Sequence, residues 1–433
     1  MIKVFVEPQA QDWPILLERP SVDENLLKDK VQAILMQVKQ KGDEALAAYT
    51  LSFDKVALTN FQLSSSAFDE AAKIIAPSLK KAIQVAKANI EIFHQAQIQK
   101  VQTIETMPGV LCWRKSIGIE KVGIYIPGGS APLFSTVLML GIPAKLAGCK
   151  EIILCTPPQQ DGKIYPAIIY AASLIGINAI YTIGGVQAIG AMAYGTASVP
   201  KVHKIFGPGN QFVTIAKQII QQEGVAIDLP AGPSEVCVYA DQTSIASFVA
   251  ADLLSQAEHG ADSQVLLIAN TLEVVQAVQK ELEKQCAQLP RQAVAKKSLE
   301  NSKAVVLSNV EQAISMINEY APEHLILSIN NAAQVAEKII NAGSVFIGNF
   351  SPESVGDYAS GTNHTLPTNG FAKAYSGVSV DSFVKKITFQ QLNEKGLTQI
   401  APTVMAMAEA EGLQAHSKAV EQRLNWIDSK NRN

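Results

Sequence analysis

The chain has no excess of charge of either sign: 36 Lys and Arg against 39 Asp and Glu in 433 residues leave a net charge of −3. The two signs are interspersed with no basic stripe, so neither nucleic acid nor an anionic membrane has an electrostatic footprint, and small molecules are the expected partners. No apolar run approaches the roughly eighteen residues that a membrane helix needs. The opening MIKVFVEPQAQDWPILLERP has no basic stretch followed by an apolar one, so the expectation is a cytoplasmic location. Cysteine is sparse too. Cys112, Cys149, Cys155, Cys237 and Cys286 are odd in number, lie mostly in apolar strand-like runs and never show CxxC spacing. That pattern argues against a disulfide framework and for buried, reduced thiols.

What is present is alternation. After a charged, helical N-terminal third, residue 121 starts a series of short apolar strands and amphipathic helices: KVGIYIPGG, STVLMLGIPAKLAG, EIILCTPP, AIIYAASLIG, AIYTIGG, VQAIGAMAYG, KIFGPGN and QFVTIAKQIIQQEG. Such βαβ repetition predicts a parallel sheet with helices on both faces. DLPAGPSEVCVYA, from Asp228, interrupts the rhythm, and a second alternating set runs on to SVFIGNF. Residues 351–378 are rich in Gly, Ser, Asn and Thr without periodicity, which reads as a long functional loop. From about residue 379 a small, separate helical piece is expected.

Open parallel sheets bind ligands outside the carboxyl ends of their strands. The turns that follow the strands read IPGGS, TPPQQ, IGGVQ, GPGNQ and LPAGPSE, and their small residues let a backbone approach a ligand and offer amides to an anion. GPGNQF has two glycines of a dinucleotide fingerprint but Phe212 where the third belongs, so the match is incomplete.

Six histidines are available for chemistry. Gln256 and His259 in SQAEHGADSQ are three apart, hence on one face of a helix and able to form half of a metal site, or else a solvated helix end. Glu323 and His324 in APEHL follow a helix-breaking proline and open a strand, where a carboxylate and an imidazole can act as paired general bases. Asp357 and His364 share the long loop, and His416 follows Glu411 in EAEGLQAHS. These oxygen and imidazole donors suit zinc or a related metal, but the span from 256 to 416 is too wide for a local motif. His94 and His203 are expected to be ordinary surface or satisfied histidines.

The stretches VGIYIPGGSAPLFSTVLM, IGGVQAIGAMAYGT, KIFGPGNQFV, DLPAGPSEV, DLLSQAEHG, APEHL, SVGDYASGTNHTLPT and EAEGLQAHS, in this order, resemble the successive signatures of the histidinol dehydrogenases. The resemblance implies a zinc-containing, NAD-dependent homodimer that oxidises L-histidinol through histidinal to L-histidine. It places the zinc ligands on Gln256, His259, Asp357 and His416, the last from the partner chain, and the catalytic pair on Glu323 and His324. Substrate contacts fall on Ser234, His364 and Glu411, together with Gln256, His259, His324, Asp357 and His416. NAD contacts fall on Tyr125, Gln187 and Asn210. The implied architecture is α/β: an N-terminal segment (1–23), a first Rossmann-like domain carrying the metal and catalytic residues (24–122 with 235–378), a second on the NAD side (123–234), and a small helical dimerisation domain (379–433).

Those residue types match the chemistry. His324 can take the alcohol proton, Glu323 can activate water against the aldehyde, and a metal can hold imidazole and amine as a template. Three other classes remain open at this point: an aldehyde dehydrogenase using Cys112 or Cys149 as nucleophile, a zinc-dependent hydrolase, and a two-lobed binding protein without catalysis.

Overall fold

The computed structural model describes residues 2–20, 24–128, 132–230 and 232–432. The IPGGS turn is thus covered only to Gly128, and Ala231 of LPAGPSE and the 21–23 end of the expected N-terminal segment lie outside the described residues. The chain divides into two units, the first made of residues up to Gln97 with Ile119–Phe383, the second of Ile98–Gly118 with Val384–Asn433. No helix among the described residues is long and apolar enough to cross a membrane.

The first unit holds two parallel sheets, as the alternation predicts. In the five-stranded one the order is Ala179–Thr182, Glu151–Thr156, Lys121–Tyr125, Lys204–Phe206, Ala226–Ile227. Strands such as EIILCT are buried along nearly their whole length, as strands covered by helices on both faces must be. Taken in chain order the strands lie 3-2-1-4-5, so the winding reverses between Lys121–Tyr125 and Lys204–Phe206 and opens a crevice there. Gly207 makes that crevice possible. Its φ is +131°, and a Cβ would lie 2.0 Å from the Tyr125 carbonyl oxygen.

Helices from residues 24–95 cover this sheet. Val31, Leu35 and Val38 share a core with Ile189 and Met192, and Ile83 and Ile90 share one with Leu138 and Ile142. The domain limits implied by the resemblance instead grouped 24–122 with the other sheet. The physical reason for the difference is that Phe134–Leu146 buries residues all round its axis, so it needs helical cover on its outer side.

The six-stranded sheet runs Lys3–Val6, Lys303–Val306, Gln264–Ala269, Glu235–Ala240, His324–Ser328, Ser344–Ile347, all parallel. Without the N-terminal strand it repeats the same 3-2-1-4-5 order. Polar side chains link the loops at its carboxyl end: Asp241 accepts from the Asn330 N–H at 2.9 Å, Ser328 donates to Asn349, and Asn349 donates to the Thr243 carbonyl at 3.0 Å. The 351–378 stretch is not one loop; it contains a helix, Glu353–Tyr358, and a 3-10 turn, Phe371–Lys373. Helix Pro77–Gln95 braces it through Asn89 (Nδ2 to the Ala359 carbonyl, 2.8 Å) and His94 (Nε2 to Asn363, 3.3 Å). His94 is therefore a buried, satisfied histidine, its Nδ1 donating to the Ile90 carbonyl at 2.8 Å.

The second unit adds something the sequence reading lacked, a three-stranded antiparallel sheet ordered Val384–Leu392, Val110–Gly118, Thr103–Met107. Trp113 and Phe389 stand opposite one another and stack at 5.4 Å. Helices Glu394–Ala410 and Gln414–Arg432 complete the unit, with Gly412 (φ +73°) turning the chain between them.

Candidate active site

Eight of the twelve expected residues, Asn210, Ser234, Gln256, His259, Glu323, His324, Asp357 and His364, converge on a cleft of about 340 Å³ in the first unit. One wall is the carboxyl edge of the five-stranded sheet, where Gly207, Pro208 and Asn210 follow Lys204–Phe206. The other is the amino edge of the six-stranded sheet. Ser234 precedes strand Glu235–Ala240, Glu323 precedes and His324 opens strand His324–Ser328, and Gln256, in the last turn of helix Ala246–Ala257, and His259, in the turn just after it, come before Gln264–Ala269. The carboxyl-end rule therefore holds for one sheet and is reversed for the other, whose amino edge faces the cleft.

Local sequence aims the Glu323-His324 pair. Helix Val310–Tyr320 stops at Ala321 in the left-handed region (φ +50°), and Pro322 prevents its continuation. Glu323 then accepts the Glu235 N–H at 2.9 Å, while His324 Nδ1 lies 3.2 Å from the Glu235 carbonyl. A carbonyl only accepts, so Nδ1 carries hydrogen and the lone pair of the neutral ring sits on Nε2. Nε2 is buried with no hydrogen-bond partner and is 3.5 Å from Asp357 Oδ1. Burial pushes the Glu323 carboxyl up to about 8. Burial alone would lower His324, but Glu353, Glu323 and Asp357 outweigh it and hold the imidazolium well above its ordinary range.

Gln256 is wholly buried, yet neither atom of its amide has a partner. A buried amide without partners costs about 1–3 kcal/mol, and a cation on its oxygen would remove part of that cost. His259 and Asp357 line the same cleft. Burial lowers His259 into the neutral, ligating form although Asp357 opposes this, and Asp357 stays ionised because His324 outweighs burial. An amide oxygen, an imidazole and a carboxylate are a donor set that a divalent cation of the zinc type accepts. Among the described residues, His324, Glu353 and Asp357 form a further cluster with ligand atoms within 4.8 Å of one another, and Asp357 belongs to both groups.

His364 lines the cleft with both ring nitrogens engaged, Nδ1 donating to the Asp357 carbonyl at 2.8 Å and Nε2 lying 3.0 Å from Thr136 Oγ1. Tyr125 and Gln187 are not among the cleft-lining residues. They lie at the carboxyl edge of the five-stranded sheet, the Tyr125 hydroxyl accepting the Gly185 N–H at 3.0 Å and raised to about 12 by burial, and Gln187 buried with its Oε1 unpartnered. Glu411 and His416 are exposed in the second unit.

Several site residues escaped the sequence reading. Glu353, four positions before Asp357 on one helix, puts Oε1 3.9 Å from His324 Nδ1; an i,i+4 reading of ESVGDY would have found it. Lys217 and Asp228 form a buried ion pair that grips both peptides of Gly207, Lys217 donating to the Gly207 carbonyl at 2.9 Å and Asp228 accepting the Gly207 N–H at 2.8 Å. Nothing local marks that pair.

Comparison with known proteins agrees with this geometry. The family model described as histidinol dehydrogenase matches residues 17–424. The histidinol dehydrogenase of Bacteroides thetaiotaomicron is 55% identical, over 99% of this chain and 100% of that protein, and one from Xylella fastidiosa is 50% identical over 92% of each. The crystal structure of histidinol dehydrogenase from Elizabethkingia anophelis superposes with a TM-score of 0.97 at 55% identity, covering 99% of both chains. With its cleft, its paired Glu323 and His324 and its near-complete alignment to these relatives, the chain belongs to the histidinol dehydrogenase family.

Proposed function

We propose that the protein is a cytoplasmic homodimer that oxidises L-histidinol through L-histidinal to L-histidine, the last steps of histidine biosynthesis, with two NAD consumed per substrate and one zinc ion per chain. Beside family membership, one observation carries the reading: the buried Gln256 amide and His324 Nε2 both lack partners and both border one cleft with Glu323, Asp357, His259 and Ser234.

Gln256, His259 and Asp357 would hold the zinc, together with His416 of the partner subunit. When bound, zinc would anchor the imidazole and amine of the substrate and offset the carboxylate charge around His324. With that charge offset and the ring neutral, His324 Nε2 can accept the hydroxyl proton as the first hydride leaves for NAD. Glu323, once ionised, takes a proton from the water that attacks the aldehyde carbon, and the hydrate gives the second hydride. Its carboxyl near 8 keeps that exchange close to neutral pH, where a general base works best. Ser234, His364 and the partner subunit's Glu411 are the remaining substrate contacts. Tyr125, Gln187 and Asn210 serve NAD; Asn210 Oδ1 caps helix Gln211–Gln222 by accepting the Val213 N–H at 3.2 Å, which leaves its amide N–H groups for the ligand.

Two further observations support parts of this reading. No cysteine is among the residues lining the cleft, and burial pushes the Cys149 thiol up to about 11 and raises Cys155 and Cys237 as well, which favours non-covalent chemistry over a thiol nucleophile. The second unit exposes the large apolar side chains Ile104, Phe389, Met407 and Trp426, which a second copy could cover. The test is the yield of NADH per histidinol consumed. A ratio near two supports both oxidations on one enzyme, and a ratio near one, or no NADH, refutes the proposal.

A further inference from the structure

Glu235 opens the central strand of the six-stranded sheet and is 2% exposed. All of its polar groups are engaged. Its N–H donates to Glu323 Oε2 at 2.9 Å, and its carbonyl accepts from His324 Nδ1 at 3.2 Å. Its carboxylate takes Arg19 Nε and Nη2 on Oε2, at 2.9 and 2.6 Å, and the Asn369 N–H on Oε1. Arg19 is itself fixed, stacked 4.1 Å over the Tyr320 ring and donating to the Tyr320 carbonyl at 2.6 Å. The Tyr320 hydroxyl continues the chain of contacts to Gln264, whose amide donates to the Glu18 carbonyl at 3.0 Å.

Both members of the catalytic pair are therefore held by main-chain atoms of one residue, and a main-chain atom is aimed by where its residue sits, not by a rotamer. The first residue of a strand has fewer ladder bonds to fix it than the interior has. Here the Arg19 guanidinium, donating Nε and Nη2 to the single oxygen Oε2 while the Asn369 N–H holds Oε1, supplies what is missing through charge-assisted contacts on both carboxylate oxygens. Stability is a poor explanation for such a buried pair, because an apolar pair of similar size is often as stable. Orientation is a better one.

We propose that Glu235, locked by Arg19, is the positioning residue of the Glu323-His324 pair, so that the segment before residue 20 belongs to the catalytic apparatus. The role rests on the histidinol reading for its kinetic readout, though not for its geometry. Wild type, Arg19→Lys, Arg19→Met, Glu235→Gln and the double variant Arg19→Met/Glu235→Gln are compared for denaturation temperature, bound zinc, KM and kcat with histidinol, and hydrogen exchange at the Glu235 amide. For each single Met or Gln variant, kcat falls about tenfold or more with KM within about threefold and zinc retained, the pattern of lost transition-state orientation. Arg19→Lys recovers part of the rate. The double variant, free of an unpaired buried charge, regains thermal stability but not kcat. Exchange at the Glu235 amide speeds up about tenfold or more in Arg19→Met, whatever the substrate is. If kcat returns together with stability in the double variant, or if the amide exchanges at the wild-type rate in Arg19→Met, the positioning role is overturned. If wild type makes no NADH from histidinol while the amide loses protection as stated, the substrate reading alone has failed.

Discussion

Glu323→Gln removes one ionisable oxygen and leaves the shape and the acceptor for the Glu235 N–H intact, so its effects report on charge alone. Burial holds this carboxyl at about 8 against an ordinary 4.5. Between those values the unfolded chain has released the proton while the folded chain keeps it. The unfolded state then binds fewer protons, and stability present below pH 4.5 is lost as pH rises toward 8. At about 1.4 kcal/mol per unit, the full shift sets an upper limit of about 5 kcal/mol. Glutamine does not titrate. Urea unfolding should therefore show the variant and wild type within about 1 kcal/mol of each other at pH 5, and the variant more stable by about 2–5 kcal/mol at pH 9. Catalysis should move the other way. Single-turnover oxidation of histidinal should slow by about 10²–10⁴, the usual cost of losing a general base, and the first oxidation of histidinol by less than about tenfold. Equal slowing of the two oxidations would refute water activation by Glu323. No gain in stability at pH 9 would refute the burial argument.

Gln256→Leu should abolish zinc binding yet stabilise the metal-free chain by about 1–3 kcal/mol, since it removes a buried amide that has no partner; calorimetry of the chelated proteins checks this, and a lower denaturation temperature counts against it. Gly207→Ala forces a Cβ against the Tyr125 carbonyl and should cost about 3 kcal/mol or more; an unchanged denaturation temperature would show that the turn yields easily. Cys149→Ala and Cys237→Ala should keep kcat within about threefold while losing about 1–2 kcal/mol of stability, because the sulfurs only pack; a loss of several orders of magnitude in a folded variant would restore the thiol route. Inactive His259→Ala and His416→Ala proteins, unfolded and refolded together, should regain activity, because a hybrid dimer then holds one intact site; inactivity despite proven hybrids would place both residues in one chain's site.

Legibility in the sequence followed burial. Parallel strands covered on both faces are continuous apolar runs, so KVGIY, EIILCT and QVLLIA announced both sheets. Thr103–Met107 and Val384–Leu392 are exposed along nearly all their length. Without a buried face they have no apolar alternation to read, so the sequence from about residue 379 reads as helical and residues 98–118 read as part of the first α/β domain. The carboxyl-end rule points to GPGN and, through LPAGPSE, to the loop of Ser234, but says nothing of a loop at the amino end of a strand, so Glu323 and His324 rest on the APEHL junction and on the resemblance. Glu353 was hidden because glycine and serine in SPESVGDY argue for loop, and a helix of six residues is too short to show a period. Arg19 and Glu235 are 216 positions apart, a distance at which no pattern in a single sequence can speak.

The N-terminal strand also sets a timetable. The strands of the five-stranded sheet follow one another along the chain from Lys121 to Ile227, so that wall of the cleft can close while synthesis continues. Lys3–Val6 must instead wait for Lys303–Val306, which at about 5–20 residues per second takes roughly 15–60 seconds. Until then Val4, Phe5 and Val6 form a short apolar strand with no neighbour, a template for the same strand on another ribosome's nascent chain. A chaperone that holds the first residues should therefore raise the folded yield more than one that acts after release. Slowing translation beyond residue 227 should lower that yield, though no residue of the finished protein is changed.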